Sequence, residues 1–214
     1  MKLYSYFRSS CSYRVRIALA LKGLAYAYVP VHLLKDGGEQ HGDSYRALNA
    51  MAQVPTLEIE HRPGAVVRLT QSVAICEYLE ERFPEPALLP ADSLARASVR
   101  KCVEIINSGI QPLQNLATMA EVKRLGGDAA AFSRAANERG LAALEVEAEA
   151  SLGPYLAGAS ITLADVFLVP QIFAARRFDV DMSRFPRLSE IDAKLAEHPA
   201  FVAAHPSRQV DAAL

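Results

Sequence analysis

No apolar run in this 214-residue chain approaches the roughly 20 residues that a membrane-spanning helix needs. Charge of one sign is also missing: 23 Lys and Arg stand against 24 Asp and Glu, for a net charge of −1. No electrostatic field therefore favours nucleic acid or an acidic membrane surface, and neither is expected as a partner. The five histidines, His32, His41, His61, His198 and His205, show no metal-ligand spacing, so no metal is expected. Cysteine is scarce and odd in number: Cys11, Cys76 and Cys102, without a C-x-x-C pair. That argues against a secreted disulfide scaffold and makes a reducing compartment the simpler reading. The opening stretch, Met1 to Arg8, is too short and polar for a signal peptide, so a cytoplasmic location is expected.

What the chain does have is a hydrophobic fraction of 51%, enough to fill one large core or two smaller ones that share an interface. Lys2 to Phe7 reads as a short aromatic-rich strand, and Arg8 to Ser10 break it. A helix follows, with Cys11, Val15, Ala18, Leu19 and Lys22 on one side and Gly23 at its end. Ala25 to Leu33 reads as a second strand. Strand, helix and strand then fit a βαβ unit with parallel strands. Lys35 to Gly38 is a loop, and Ser44 to Leu48 a short helix. Val54 to Ile59 opens a third strand, Arg62-Pro63-Gly64 turns, and Val66 to Leu69 completes a hairpin. Gln71 to Arg82 is helical, with Ala74, Ile75, Tyr78 and Leu79 on its buried face. The order is βαβ, then ββα.

Beyond residue 83 the character changes. Pro84, Pro86 and Pro90 mark a connector over 84–90. From 91 to 214 no strand is evident: helical periodicity covers Asp92 to Ala120, Asp128 to Leu152 and Leu188 to Glu197. Thr162-Leu163-Ala164-Asp165 has the form of a capping box before a helix from Val166 to Ala175. The expected fold class is α/β plus all-α, in two domains: residues 1–83 and residues 91–214.

Three short stretches carry candidate chemistry. Arg8-Ser9-Ser10-Cys11-Ser12-Tyr13-Arg14 lies where the first strand gives way to a helix, and free N–H groups and the helix dipole there favour an anion. A thiolate would be stabilised at such a place, each unit of pKa depression corresponding to about 1.4 kcal/mol. The plainer reading is that these serines only cap the helix, and both readings stand. Val54-Pro55, just before a strand, would leave the Val54 backbone open to an extended peptide if the bond is cis. Gln71-Ser72, at the next helix start, would hold a carboxylate or simply cap. Together the three suit a small acidic thiol peptide. Cys76 and Cys102 fall on apolar helical stretches and are expected to be buried and inert. Cys11 has no second cysteine three positions on, which argues against dithiol exchange.

Ser9-Ser10-Cys11-Ser12-Tyr13-Arg14-Val15-Arg16-Ile17-Ala18-Leu19 resembles the S-S-C-x-W-R-V-R-I-A-L signature of zeta-class glutathione transferases, the maleylacetoacetate isomerases. Asp36-Gly37-Gly38, Gln53-Val54-Pro55-Thr56-Leu57, Gln71-Ser72, Ile110-Gln111-Pro112-Leu113-Gln114-Asn115 and Arg177-Phe178-Asp179-Val180-Asp181 extend the resemblance over nearly the whole chain. Tyr13 stands where the family has Trp, and the stretch from His61 to Val67 lengthens the hairpin. The resemblance implies a thioredoxin-like N-terminal domain, a helical C-terminal domain, a homodimer and a cis Val54–Pro55 bond. It implies glutathione as cofactor, held by Ser9, Ser10, Cys11, Ser12, Tyr13, Arg14, Gln40, Val54, Pro55, Gln71 and Ser72, with Gln111, Asn115, Leu116 and Ala117 from the helical domain. Catalysis falls to Ser9, Ser10 and Cys11, and the grip on a dicarboxylic substrate to Arg8 and Arg177, with Arg176 the less favoured neighbour. The implied reaction is conversion of maleylacetoacetate to fumarylacetoacetate in tyrosine and phenylalanine degradation. Maleylpyruvate isomerisation, dehalogenation of small α-halo acids and a non-catalytic scaffold are the alternatives.

Overall fold

The computed structural model describes residues 1–212. The chain forms two compact units: residues 1–86 joined by those from Pro199 onward, and residues 87–198.

In the first unit the elements run β1 (Lys2–Ser5), α1 (Ser10–Leu21), β2 (Ala27–Pro30), α2 (Asp43–Arg46), β3 (Thr56–Arg62), β4 (Ala65–Thr70) and α3 (Ser72–Arg82). The sheet order is β2-β1-β3-β4. β1 and β2 are parallel, and β3 is antiparallel to both β1 and β4. This is the βαβ–ββα arrangement that the sequence predicts. Pro63 and Gly64 make the hairpin turn, with Gly64 at φ 76°, where a Cβ would be strained. Leu3, Ile17, Leu19, Leu57, Ile75 and Leu79 are fully buried and supply the core.

Register sets a cross-strand charge ladder. Glu58 on β3 opposes Lys2 on one side and Arg68 on the other. Its two oxygens accept from Lys2 Nζ at 2.9 Å and Arg68 Nε at 3.1 Å. A second ion pair ties down the end of the unit. Lys22, at the C-cap of α1, has a fully buried ammonium that donates to Glu80 Oε2 at 2.5 Å and to the Pro86 carbonyl at 2.7 Å. A buried ammonium is tolerated only when bonded in this way.

The second unit contains α4 (Ser93–Gly109), α5 (Leu116–Arg124), α6 (Ala129–Ala150), α7 (Leu163–Arg176) and α8 (Pro186–Leu195). The helical periodicity read from Asp92 to Ala120 is broken in the structure. Pro112 has no N–H to continue the α-helical ladder, and Ile110 leaves the helical region at φ −120°, so Gln111–Gln114 forms a 3-10 turn and Asn115 caps a new helix. Gly140 of α6 lies against Ile110: a Cβ there would come within 2.2 Å of Ile110 Cγ1. α7 is apolar nearly all round and almost wholly buried, as such a helix must be. Its capping box is formed as expected, with Asp165 accepting from Thr162 N at 2.8 Å and also from Leu156 N at 2.9 Å.

Sequence periodicity places everything after residue 91 in the second domain. The packing returns α9 (Pro199–Ala204) and the segment after it to the first unit, against α1. The reason is a long-range bond that no local pattern reports: Arg16 Nε donates to the Ala204 carbonyl at 3.0 Å.

The hydrogen bond from Lys2, with the Arg68 bond beside it, holds the Glu58 carboxyl below its ordinary value of 4.5. A carboxyl depressed in the folded state adds stability above its unfolded pKa and loses it as pH falls through the folded one. Glu58→Gln should therefore destabilise the protein at about pH 7, and the gap from wild type should close towards about pH 3. Urea midpoints across that range test it, and a gap independent of pH would rule out the ladder as its source.

Candidate functional site at one end of the sheet

The register Tyr4 to Thr56 to Thr70 runs straight across β1, β3 and β4. The chain therefore leaves the end of β1, enters β3 and leaves β4 along one edge. Those three junctions carry Arg8 to Ser12, Val54-Pro55 and Gln71-Ser72, the three stretches that the sequence singles out. A buried bond closes the gap between the two helix starts: Arg14 Nη1 donates to Ser72 Oγ at 3.1 Å.

At the first junction Ser9 is the N-cap of α1, with extended backbone angles. Its Oγ accepts from the Ser12 N–H at 3.2 Å. The capping reading is thus realised, yet a hydroxyl that accepts through oxygen still has its proton to donate. Capping and anion stabilisation are compatible at Ser9. Ser10 is buried, Cys11 is half-buried, and Ser12, Tyr13 and Arg14 are buried. Tyr13 packs edge-on against His205 with its ring near the Arg16 guanidinium, so the aromatic at this position belongs to the core. The half-buried Arg8 lies over the rings of Tyr6 and Phe7, and its Nη2 donates to the Tyr6 hydroxyl at 3.0 Å. Its Nε is buried and has no hydrogen-bond partner among the described residues.

At the second junction the Val54–Pro55 bond is cis. The ladder begins only at Thr56, since Pro55 has no N–H to offer. Among the described residues neither the N–H nor the carbonyl of Val54 has a hydrogen-bond partner, although its side chain is buried. The loop is fixed just upstream, where the Gln53 carbonyl accepts from Tyr45 Oη at 2.8 Å and Asn49 Nδ2 at 2.6 Å. Gln40 is buried nearby in the sequence order, donating through Nε2 to the Leu33 carbonyl at 3.3 Å. Its Oε1 is buried and has no hydrogen-bond partner among the described residues. Gly38, at φ 99°, permits this: a Cβ would lie 2.5 Å from Gln40 Nε2.

At the third junction Gln71 has φ 69° and an exposed side chain that does not cap α3. The first N–H groups of that helix are thus left to other acceptors. Simple capping, the alternative reading here, does not occur.

In the second unit Gln111 lies in the 3-10 turn, and Asn115 Oδ1 accepts from the Ala117 N–H at 3.1 Å, with Leu116 exposed between them. A buried amide cluster holds this turn: Gln114 Oε1 accepts from Asn137 Nδ2 at 2.8 Å and Gln171 Nε2 at 3.2 Å. Arg177 is exposed at the C-cap of α7, whereas Arg176 pairs with Asp192 at 2.7 Å. Burial pushes the Cys76 thiol up to about 12 and the Cys102 thiol up to about 11, which keeps both protonated. No group of His, Cys, Asp and Glu among the described residues could hold a metal ion.

The model of the glutathione S-transferase N-terminal domain matches residues 8–82. Maleylacetoacetate isomerase of Rattus norvegicus is 47% identical over 209 residues, covering 98% of this chain and 94% of that protein. The holo structure of a maleyl pyruvate isomerase, a bacterial zeta-class glutathione S-transferase, is 41% identical with TM-score 0.92, covering 99% of both chains. This chain belongs to the zeta-class glutathione S-transferase family. A third relative, maleylacetoacetate isomerase of Anaeromyxobacter dehalogenans, was solved with dicarboxyethyl glutathione and citrate in the active site. It is 46% identical with TM-score 0.88, covering 99% of this chain and 93% of that one. In the zeta-class chain described here the unpartnered Val54 backbone, the partnerless Gln40 oxygen and the two helix starts fit a peptide that carries carboxylates and a thiol.

Sequence reasoning passed over Arg16, Tyr45, Asn49 and Asp211, which hold the junctions in place. An arginine among the apolar residues of α1 was the one local signal of a buried guanidinium. Ser9→Ala removes the cap bond and should cost about 1 kcal/mol in urea unfolding. Cys11→Ala, which loses no side-chain hydrogen bond, should cost less. Equal losses would mean that the Ser9 cap contributes nothing.

Proposed function

We propose that this protein isomerises maleylacetoacetate to fumarylacetoacetate with glutathione as cofactor. The observation that carries this is the Ser9-Ser10-Cys11 helix start, joined at one sheet edge to the open Val54 backbone, in a chain so close to maleylacetoacetate isomerases. Bound glutathione supplies a thiolate that adds reversibly to the cis double bond, making it single long enough to rotate.

The chain's own residues do the rest. The Ser9 hydroxyl, oriented by its bond to Ser12, and the Ser10 hydroxyl favour the thiolate together with the N–H of Cys11 and the field of the helix start, Ser9 carrying the larger share. Cys11 contributes its backbone, and Ser12, Tyr13 and Arg14 hold the frame beneath. Val54 and Pro55 receive the extended peptide. Gln71 and Ser72 hold a carboxylate at the start of α3, and Gln40, with Gln111, Asn115, Leu116 and Ala117 of the helical domain, completes the set that holds glutathione. Arg8 and Arg177 grip the carboxylates of the substrate, since a guanidinium pairs bidentately with them. We place the enzyme in the cytoplasm as a homodimer, in tyrosine and phenylalanine degradation. No helix among the described residues is long and apolar enough to cross a membrane.

Maleylpyruvate is the second reading, favoured by the 41% identity to a maleylpyruvate isomerase. Turnover of each substrate, with and without glutathione, decides between them. Glutathione at 100 times its Kd should stabilise the fold by about 2.7 kcal/mol. Ser9→Ala should slow isomerisation by about 2–4 kcal/mol in the barrier, as loss of an oxyanion-type donor does. Cys11→Ala should stay substantially active. A dead Cys11→Ala beside fully active serine variants would transfer the role to the thiol.

Arg177→Ala should raise the KM for the dicarboxylate more than the KM for glutathione. Steady-state kinetics with each ligand varied in turn test this, and equal effects would count against a substrate role.

A further inference from the structure

The backbone between β1 and Ser9 is held by side chains. The Phe7 N–H donates to Asp211 Oδ2 at 3.0 Å across 204 positions of sequence. The Phe7 carbonyl accepts from Arg16 Nη2 at 3.0 Å, and the Tyr6 carbonyl from Arg16 Nη1 at 3.4 Å. The same Tyr6 carbonyl accepts from the Ser9 N–H at 3.0 Å. Every link from Asp211 and Arg16 to Ser9 is therefore a direct hydrogen bond or a covalent step.

Asp211 is 2% exposed, and both of its oxygens are used, since Tyr28 Oη donates to Oδ1 at 2.7 Å. Burial, with the bond to Asp211, raises the Tyr28 hydroxyl and keeps it a donor. The guanidinium of Arg16, fully buried, gives its hydrogen bonds to Ser5 Oγ and to the carbonyls of Tyr6, Phe7 and Ala204. Burial lowers the Arg16 guanidinium from its ordinary value, and Tyr28, Tyr26, Tyr13 and, least, Asp211 oppose that lowering. Two donors on different elements, one on β2 and one on the site loop, need two acceptors in one group. A carboxylate has them, and a carboxamide has one.

We infer that Asp211 is a positioning residue for the thiolate site: through the Phe7 N–H it sets where the Ser9 hydroxyl points. This rests on the functional reading above, and it makes the segment after α9 part of the catalytic frame. The peptide-binding groups at Val54, Gln71 and Ser72 lie outside the clamp, so affinity for the peptide part of glutathione should be spared.

The test is Asp211→Asn, nearly isosteric. The thiol of bound glutathione, titrated by thiolate absorbance, should move up by about one unit, so that kcat near neutral pH falls about tenfold. The Kd for S-methylglutathione, which has no thiol to ionise, should change little. In protein without glutathione, the Phe7 amide should exchange faster with solvent than in wild type. Glu58→Gln, destabilised in the same unit but remote from the loop, serves as control and should keep the wild-type titration. If Asp211→Asn fails to fold, Tyr28→Phe removes one bond to the same carboxylate and should give a smaller shift in the same direction. A folded Asp211→Asn with unshifted titration overturns the inference, as does an equal shift in Glu58→Gln. A wild-type protein without glutathione-dependent turnover refutes the functional reading instead.

Discussion

The straight register of Tyr4, Thr56 and Thr70 across three strands is the constraint on which the site depends. It brings the start of α1, the approach to β3 and the start of α3 to one edge. Each junction then contributes groups that its own element cannot satisfy. α1 and α3 offer N–H groups because helices leave their first turn open. The approach to β3 offers the Val54 backbone because Pro55 keeps it out of the ladder. An anion-binding edge follows from where the secondary structure stops.

Such an edge has to be stiff to be useful, and buried arginines supply the stiffness. Arg14 joins the two helix starts through Ser72, and Arg16 ties the loop before Ser9 to the end of α9. Guanidinium groups suit this task because they present several donors in a fixed plane. A packed apolar core under the sheet gives the stability, but only directed bonds of this kind hold a loop to a set position. The charge ladder through Glu58 and the buried Lys22–Glu80 pair secure the hairpin and the end of α3 in the same way.

The order of strands along the chain, the starts of α1 and α3 and the capping box at Thr162 were legible in the sequence because each is written in adjacent residues. The same locality explains the misses. Periodicity runs unbroken from Val99 to Leu113, while the break comes from Pro112 and the Asn115 cap. Tyr13 and Arg14 sit within a site motif, yet the structure buries their side chains, and a motif does not say which face of a helix points inward. Asp211 had no signal at all, since its partners Phe7 and Tyr28 lie at the other end of the chain.

That last placement bears on how the protein is made. The second unit is one continuous stretch, residues 87–198. The first unit is discontinuous. During synthesis residues 1–86 emerge first, but Arg16 meets the Ala204 carbonyl, and Phe7 meets Asp211, only after residues 87–198 have emerged between them. The usual order, in which the N-terminal domain folds first, is inverted for the final step. A nascent chain stalled short of Asp211 would lack the bond that holds the Phe7 N–H, and the loop before Ser9 would be unlocked.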